Sequence, residues 1–278
     1  MFLAERLIYL DLHKTGGTQI QQLLAATIGG QQSVQHQRLS PELHDAYVIG
    51  SVRNPWDWYV SLWAYGCARR GWLYLRLVRR QPALWQPFHA GRSLRRAPRP
   101  LQLRSPSALW ERTENWRACY ADSDDPTRFR TWLARVLDPA YRVDLGEGYA
   151  RSTVWRTAGL MTYRYLRLYT RDLAALMSMH GPADLDALRA FADQQTLLRA
   201  VVRTEQLEAD LIAALKGAGY QLSADQQALI RERASQRANR SAHRPAAEYY
   251  DPATVRLVAE RERLLIERYG YTPPIGAG

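Results

Sequence analysis

The run His13-Lys14-Thr15-Gly16-Gly17-Thr18 gathers a cation, two hydroxyls and two glycines. That set suits a phosphate. Glycines let the backbone turn sharply and present successive N–H groups, and a helix starting there adds partial positive charge. Lys14 can fold over the bound anion, and Thr15 and Thr18 can donate hydroxyls. The order is not that of a Walker A loop, whose lysine follows the glycines and precedes Ser or Thr; here the lysine comes first. Taken alone, the run also reads as a plain glycine turn beside a surface lysine. Arg53 offers a second anion contact. It follows the apolar run Tyr47-Val48-Ile49-Gly50-Ser51-Val52, and ligands of open α/β sheets bind at the carboxyl ends of strands. Ser61 lies two helical turns beyond Asn54, so Arg53 and Ser61 together suit a second phosphate. The competing reading is an Arg53–Asp57 ion pair with Ser61 bonded back to its own helix.

The elements that position these residues follow from the pattern around them. Residues 6–12 read as a short apolar strand, and residues 19–28 as a helix with Ile20, Leu23, Leu24 and Ile28 at helical spacing, stopped by Gly29-Gly30. A polar loop covers 31–45. A second strand spans 46–52; Asn54 then caps, and Pro55 starts, a helix from Trp56 to about Ala68. On that helix Trp56, Tyr59, Val60 and Trp63 form one apolar face and Trp58, Leu62 and Tyr65 another. Only Asp57, Ser61 and Ala64 leave a narrow polar or small strip. Two strand–turn–helix units predict a parallel α/β sheet. Further helices are expected over 127–137, 160–179 and 184–195. A third strand over 197–203 precedes a helix ending at Lys216-Gly217. A polar, arginine-rich loop covers 234–248, and Asp251-Pro252 starts a last helix to about Tyr269.

Composition narrows the classes. The chain has 278 residues, a net charge of +11 and 46% hydrophobic residues, which excludes a disordered or collagen-like polymer. No apolar run approaches the ~18 residues of a membrane span, and the N-terminus lacks the basic start and apolar stretch of a signal peptide. Cys67 and Cys119 stand far apart, outside any metal-ligand spacing. The expectation is a soluble, cytoplasmic protein that needs no metal. Of 38 basic residues only Lys14 and Lys216 are lysine. Where such a chain keeps a lysine, a compact point charge serves that the flat guanidinium fork does not. From Trp58 through Trp110 there is no Asp or Glu, while arginines recur between prolines. This basic stretch, with Trp72, Trp85, Trp110 and Tyr74, could wall an anionic acceptor or stack on a sugar ring. It reads equally as core tryptophan and solvated arginine.

Several stretches resemble sulfotransferases. Residues 10–18 with Ile20 resemble the family's 5′-phosphosulfate loop, usually Pro-Lys-Thr-Gly-Gly/Thr-Thr/Ser. Val52-Arg53-Asn54-Pro55-Trp56-Asp57 through Ser61 resembles its 3′-phosphate motif, in which serine follows the arginine by eight residues. Val202-Arg203-Thr204-Glu205-Gln206-Leu207 resembles a later strand end, Arg-Tyr-Glu-Asp-Leu. Asn239-Arg240-Ser241, Tyr249-Tyr250-Asp251 and Tyr269-Gly270-Tyr271 resemble the family's C-terminal part. The matches occur in family order over nearly the whole chain. His13 departs from the usual proline or arginine, and the middle, 71–196, matches nothing in the family.

The resemblance implies an α/β fold with a central parallel sheet flanked by helices. This is the P-loop-NTPase-like sulfotransferase architecture, as one domain over 1–278 with 71–196 a largely helical, arginine-rich elaboration. It implies transfer of a sulfuryl group from the co-substrate 3′-phosphoadenosine 5′-phosphosulfate (PAPS) to a hydroxyl of a small molecule or glycan, without a metal and without nucleic acid as partner. Lys14 would neutralise charge on the leaving oxygen, with the loop from Thr15 through Gly16, Gly17, Thr18 and Gln19 as anion hole. Arg53 and Ser61 would grip the 3′-phosphate, which separates PAPS from ATP. In one branch of the family the base is a histidine between the first helix and the arginine-bearing strand, where His36 stands. His44 is second, and Glu42 or Asp45 would serve if no histidine reaches the acceptor. His13 fills the place of the family proline and could touch the 5′-phosphate. Three other readings compete: an ATP-dependent phosphotransferase, a basic nucleic-acid-binding module, and a PAPS-fold protein that binds without catalysing.

Overall fold

A computed structural model describes residues 1–34, 37–79, 106–178, 180–235 and 243–276. His36, Trp85, His89, the Asn239-Arg240-Ser241 stretch and arginines 80, 92, 95, 96, 99 and 104 lie outside these ranges. The protein is α/β, built on one five-stranded sheet flanked by helices. Its strands are β1 (Phe2–Leu3), β2 (Ile8–Leu10), β3 (Gln31–Gln32), β4 (Val48–Val52) and β5 (Leu198–Arg203), in the order β3-β1-β2-β4-β5. The expectation of a wholly parallel sheet needs correction. β2, β4 and β5 are parallel, but β1 pairs antiparallel with both β2 and β3. The chain makes this edge by folding 1–10 back on itself through a short turn, which a crossover-linked parallel strand cannot do.

β2 and β4 are buried along their whole length because both faces are covered, while β5, with Arg199 exposed, is only partly buried. Alternation sends Ile8, Leu10, Val48 and Val52 into one core and Tyr9 and Ile49 into the other. Helices α1 (Gly17–Ile28), α2 (Pro55–Cys67), α3 (Trp72–Val78), α4 (Pro106–Cys119), α5 (Pro126–Leu137) and α6 (Arg142–Leu145) come before the last strand. So do α7 (Leu160–Tyr169), α8 (Leu173–Leu176) and α9 (Leu185–Gln195). After it come α10 (Leu207–Gly217), α11 (Ala224–Ser235), α12 (Pro252–Arg261) and α13 (Arg263–Tyr269). Leu23 and Leu24 of α1, Leu211 and Leu215 of α10 and Ile230 of α11 fill the smaller core. The larger core takes α2, α5, α7, α12 and α13. Trp56, Trp58, Trp63, Trp116 and Trp132 are buried, so these tryptophans are packing; Trp72 is 48% exposed.

Helix starts obey local chemistry. The side chains of Asn54, Asp125, Asp184 and Asp251 each accept a bond from an N–H of the first turn, and Pro follows three of them. Two expected helices are broken. The span 160–179 divides at Thr170, which turns extended and bridges Thr196, while the Leu197 N–H donates to the Tyr169 carbonyl. The last helix divides at Glu262, whose side chain is fully buried. The polar stretch 31–45 is also not all loop, since it contributes β3 and a 3-10 turn, Pro41–Leu43. Among the described residues no helix is long and apolar enough to cross a membrane.

Candidate functional site

Parallel register places three strand tips side by side. Leu10 lies opposite Gly50, and Gly50 opposite Val201, so the turns after β2, β4 and β5 leave one edge of the sheet together. Side chains tie them. The Thr204 hydroxyl lies 3.1 Å from the Thr15 carbonyl oxygen and 2.9 Å from that of Val52, sharing its proton between them. The Asn54 N–H donates to Glu205 Oε1 at 2.8 Å. Burial raises the Glu205 carboxyl above its usual range. Arg203 is paired with Asp210 and belongs to the scaffold.

The first turn has the geometry of an anion cradle. Gly16, at φ 78, caps α1 in the left-handed region that glycine enters without strain. A Cβ on Gly17 would come within 2.9 Å of Asp11 Cβ, so only glycine fits the first helical position. Gly16 has no side chain with which to cap α1, and the first turn of the helix carries no acid. The first N–H groups of the helix and the positive end of its dipole lie at this turn. Thr18 is exposed there. Thr15 is turned the other way. Its hydroxyl is buried, donating to the Leu12 carbonyl at 2.7 Å and meeting Ser51 Oγ at 2.6 Å; Ser51 Oγ in turn meets Tyr9 Oη at 2.7 Å. Thr15 thus anchors the loop to β4 and offers an anion its backbone, while the Gln19 amide is spent on the Arg233 carbonyl at 2.7 Å.

Lys14 and Arg53 stand just past the ends of β2 and β4, within each other's electrostatic field. Burial, then the Arg53 charge, lower the Lys14 ammonium to about 8. Lys14 Nζ lies 4.1 Å from the centroid of the Tyr65 ring, and Trp58 Nε1 donates to the His13 carbonyl at 2.6 Å. The Lys14 loop therefore rests on α2. Asp57, Ser61 and Tyr65 are spaced i, i+4, i+8 and share the face of α2 that meets it. Ser61 is 3% exposed, and its hydroxyl makes no bond back to its own helix among the described residues.

The histidines divide. His44 follows the 3-10 turn at the amino end of β4, away from the strand tips, with a buried Nε2 that has no hydrogen-bond partner. His243 sits in the shared field of Arg53, Asp57 and Lys14; burial, opposed by its Nδ1 contact with the Arg244 carbonyl at 2.7 Å, lowers it below the usual range. The segment that follows it docks on α2, where Tyr250 Oη donates to the Trp56 carbonyl at 2.9 Å and the Tyr249 ring stands edge-on to Trp63. No protein-family model, curated protein or solved structure matches the chain. The site is therefore read from its own chemistry. Lys14 leads the loop Gly16-Gly17-Thr18, lies in the field of Arg53 and meets Tyr65 on the α2 face that also carries Ser61; the Thr15 and Gln19 side chains turn elsewhere. His243 and Thr204 carry no local pattern that marks them. Tyr65 does carry one, the i+4 step from Ser61, although its neighbours read as a buried apolar face.

Proposed function

We propose that the chain is a sulfotransferase that moves a sulfuryl group from PAPS to a hydroxyl of a carbohydrate or small-molecule alcohol or phenol. The observation that carries this reading is the parallel register of β2 and β4, which sets Lys14 and Arg53 just past adjacent strand ends at the start of α1. Two cations forced together at neighbouring strand tips cost stability and favour a polyanion. In this reading Lys14 and the loop N–H groups take the 5′-phosphosulfate, and Arg53 with Ser61 takes the 3′-phosphate. The acceptor oxygen attacks sulfur. Its bond to sulfur forms as the bond from sulfur to the bridging oxygen breaks, and that electron pair stays on the 5′-phosphate. Lys14 neutralises the growing charge. The acceptor proton goes to a histidine: His36 on the family resemblance, or His243, which shares the field of Lys14 and Arg53.

Isothermal titration tests the reading. 3′,5′-Adenosine bisphosphate is expected to bind, ATP and ADP to bind far more weakly, and Arg53→Ala to erase that preference. Tight ATP binding without bisphosphate binding points instead to a phosphotransferase. Steeply salt-dependent oligonucleotide binding that Lys14→Ala leaves unchanged points to a nucleic-acid module. With an acceptor found by mass-detected screening, kcat/KM is expected to fall above about pH 8 as Lys14 loses its proton. Loss of turnover with bisphosphate binding retained, in His36→Ala or in His243→Ala, identifies the base.

A further inference from the structure

We infer that Tyr65 is a positioning residue, its ring braced by Gly71 and serving as the seat that holds the Lys14 ammonium at the anion cradle. The inference rests on the reading of Lys14 as the group that meets the anion. Three independent features carry it.

The first is the contact itself. Lys14 Nζ stands 4.1 Å from the ring centroid, well inside the range in which an aromatic face attracts a cation. The second is the brace behind the ring. After α2 ends, Arg69 turns left-handed at φ 57, the Arg69 N–H donates to the Gly66 carbonyl at 2.8 Å, and the Arg70 N–H donates to the Tyr65 carbonyl at 3.1 Å. This turn brings Gly71, at φ 89, onto the ring. A Cβ there would lie 2.9 Å from Tyr65 Cδ1 and 3.0 Å from Cε1. Glycine lets the chain close over the ring and fix its plane. The third feature is the backbone of Lys14, at φ 65 in the left-handed region that favours glycine. The chain keeps a side chain at a strained position, and it is one of only two lysines.

A lysine stem is long and loses rotamer freedom when held. Other charged groups lie in the field around Lys14. Arg53 at the tip of β4 repels it, His243 approaches from the segment before α12, and Asp57 on α2 lies in the field of His243. The ring face supplies a weak, non-competing attraction. A neutral ring face orients the ammonium without cancelling its charge.

The scarcity of lysine makes a direct test practical. With lysine labelled at ¹³Cε, the NMR spectrum holds two side-chain signals, and Lys216→Arg, at an exposed position on α10, assigns them. The Lys14 signal is expected to show an aromatic ring-current shift and a titration near pH 8 in the wild type and in Tyr65→Phe, which keeps the ring. Tyr65→Leu keeps apolar bulk and loses the ring face. It is expected to lose the shift, titrate at lower pH, and bind 3′,5′-adenosine bisphosphate about three- to ten-fold more weakly, with an unchanged circular dichroism spectrum. A Lys14 signal with no ring-current shift, or one that Tyr65→Leu does not move, overturns the seat. A shift that behaves as expected in a protein that does not bind the bisphosphate keeps the seat and removes the proposed sulfuryl transfer.

Discussion

Lys14→Met is expected to slow transfer roughly 10²–10³-fold, the loss typical of a preorganised group at a developing oxyanion. The same substitution is expected to raise the melting temperature at pH 7. The two effects have one cause. In the folded chain the Lys14 ammonium titrates at about 8, against an ordinary value of 10.5, because it is partly buried beside Arg53. Between those two pH values the unfolded chain holds a proton that the folded chain has released. Stability therefore increases with pH across that window, and the penalty from Lys14 is complete below it. Methionine has a similar length and no charge, so it removes the penalty where it is largest. Its advantage should shrink from pH 8 upward and be gone near 10.5. Thermal melts of both proteins at pH 7 and pH 10 check this. A variant that is less stable at pH 7, or that transfers at the normal rate, would remove Lys14 from the chemistry. A destabilising cation that activity needs marks a functional site, since packing alone favours its removal.

Glu262→Ala should be the most damaging single change to the scaffold. Glu262 is fully buried at the break between α12 and α13. Its Oε1 accepts from the Tyr59 hydroxyl and, at 3.2 Å, from the Met161 N–H; its Oε2 accepts from the Thr162 N–H at 2.8 Å and the Thr162 hydroxyl at 2.6 Å. One carboxylate thus caps the start of α7 and ties it to α2. Alanine leaves two N–H groups and two hydroxyls without partners in a dry core, and truncating one member of such a buried charged network costs about 3–5 kcal/mol. At about 2–4 °C per kcal/mol, the melting temperature should fall by roughly 10 °C or more. Glu262→Gln keeps the shape and one acceptor oxygen and should lose less. The pH profile carries a second signature. Burial outweighs the hydrogen bonds and raises the carboxyl above 4.5, so over that interval the folded chain binds the extra proton. Stability from this group therefore falls as pH rises from 4.5 through the raised value, and Glu262→Gln should flatten that part of the curve. Because Tyr59 lies on α2, the loss should also loosen the helix that carries Asp57, Ser61 and Tyr65.

The junction of α12 and α13 shows where local sequence patterns stop. Asp251-Pro252 announces the start of α12 through a capping box with Thr254, and that box lies within four residues. Nothing near Glu262 announces its break, because the partners that hold it are Tyr59, Met161 and Thr162, a hundred or more positions away in sequence. The break at Thr170 has the same origin, in the bridge to Thr196. The antiparallel edge escapes notice for a different reason: β1 and β3 have two residues each, too few for alternation to show.

The site divides along the same line. Short-range patterns in the chain were enough for the glycine turn before α1, the capped start of α2 and the strands β2, β4 and β5. Each of these depends on residues within a turn or two of one another. The same patterns brought Lys14 and Arg53 to strand ends. Only the tertiary structure decided that those ends adjoin, through the parallel register of β2, β4 and β5. It alone turned the Thr15 hydroxyl inward to Ser51, brought His243 into the field of Lys14 and Arg53, and set the Lys14 ammonium on the Tyr65 ring. These contacts join residues far apart in the chain. Their strength comes from burial and from charges brought close, and neither exists until the sheet and its helices have packed.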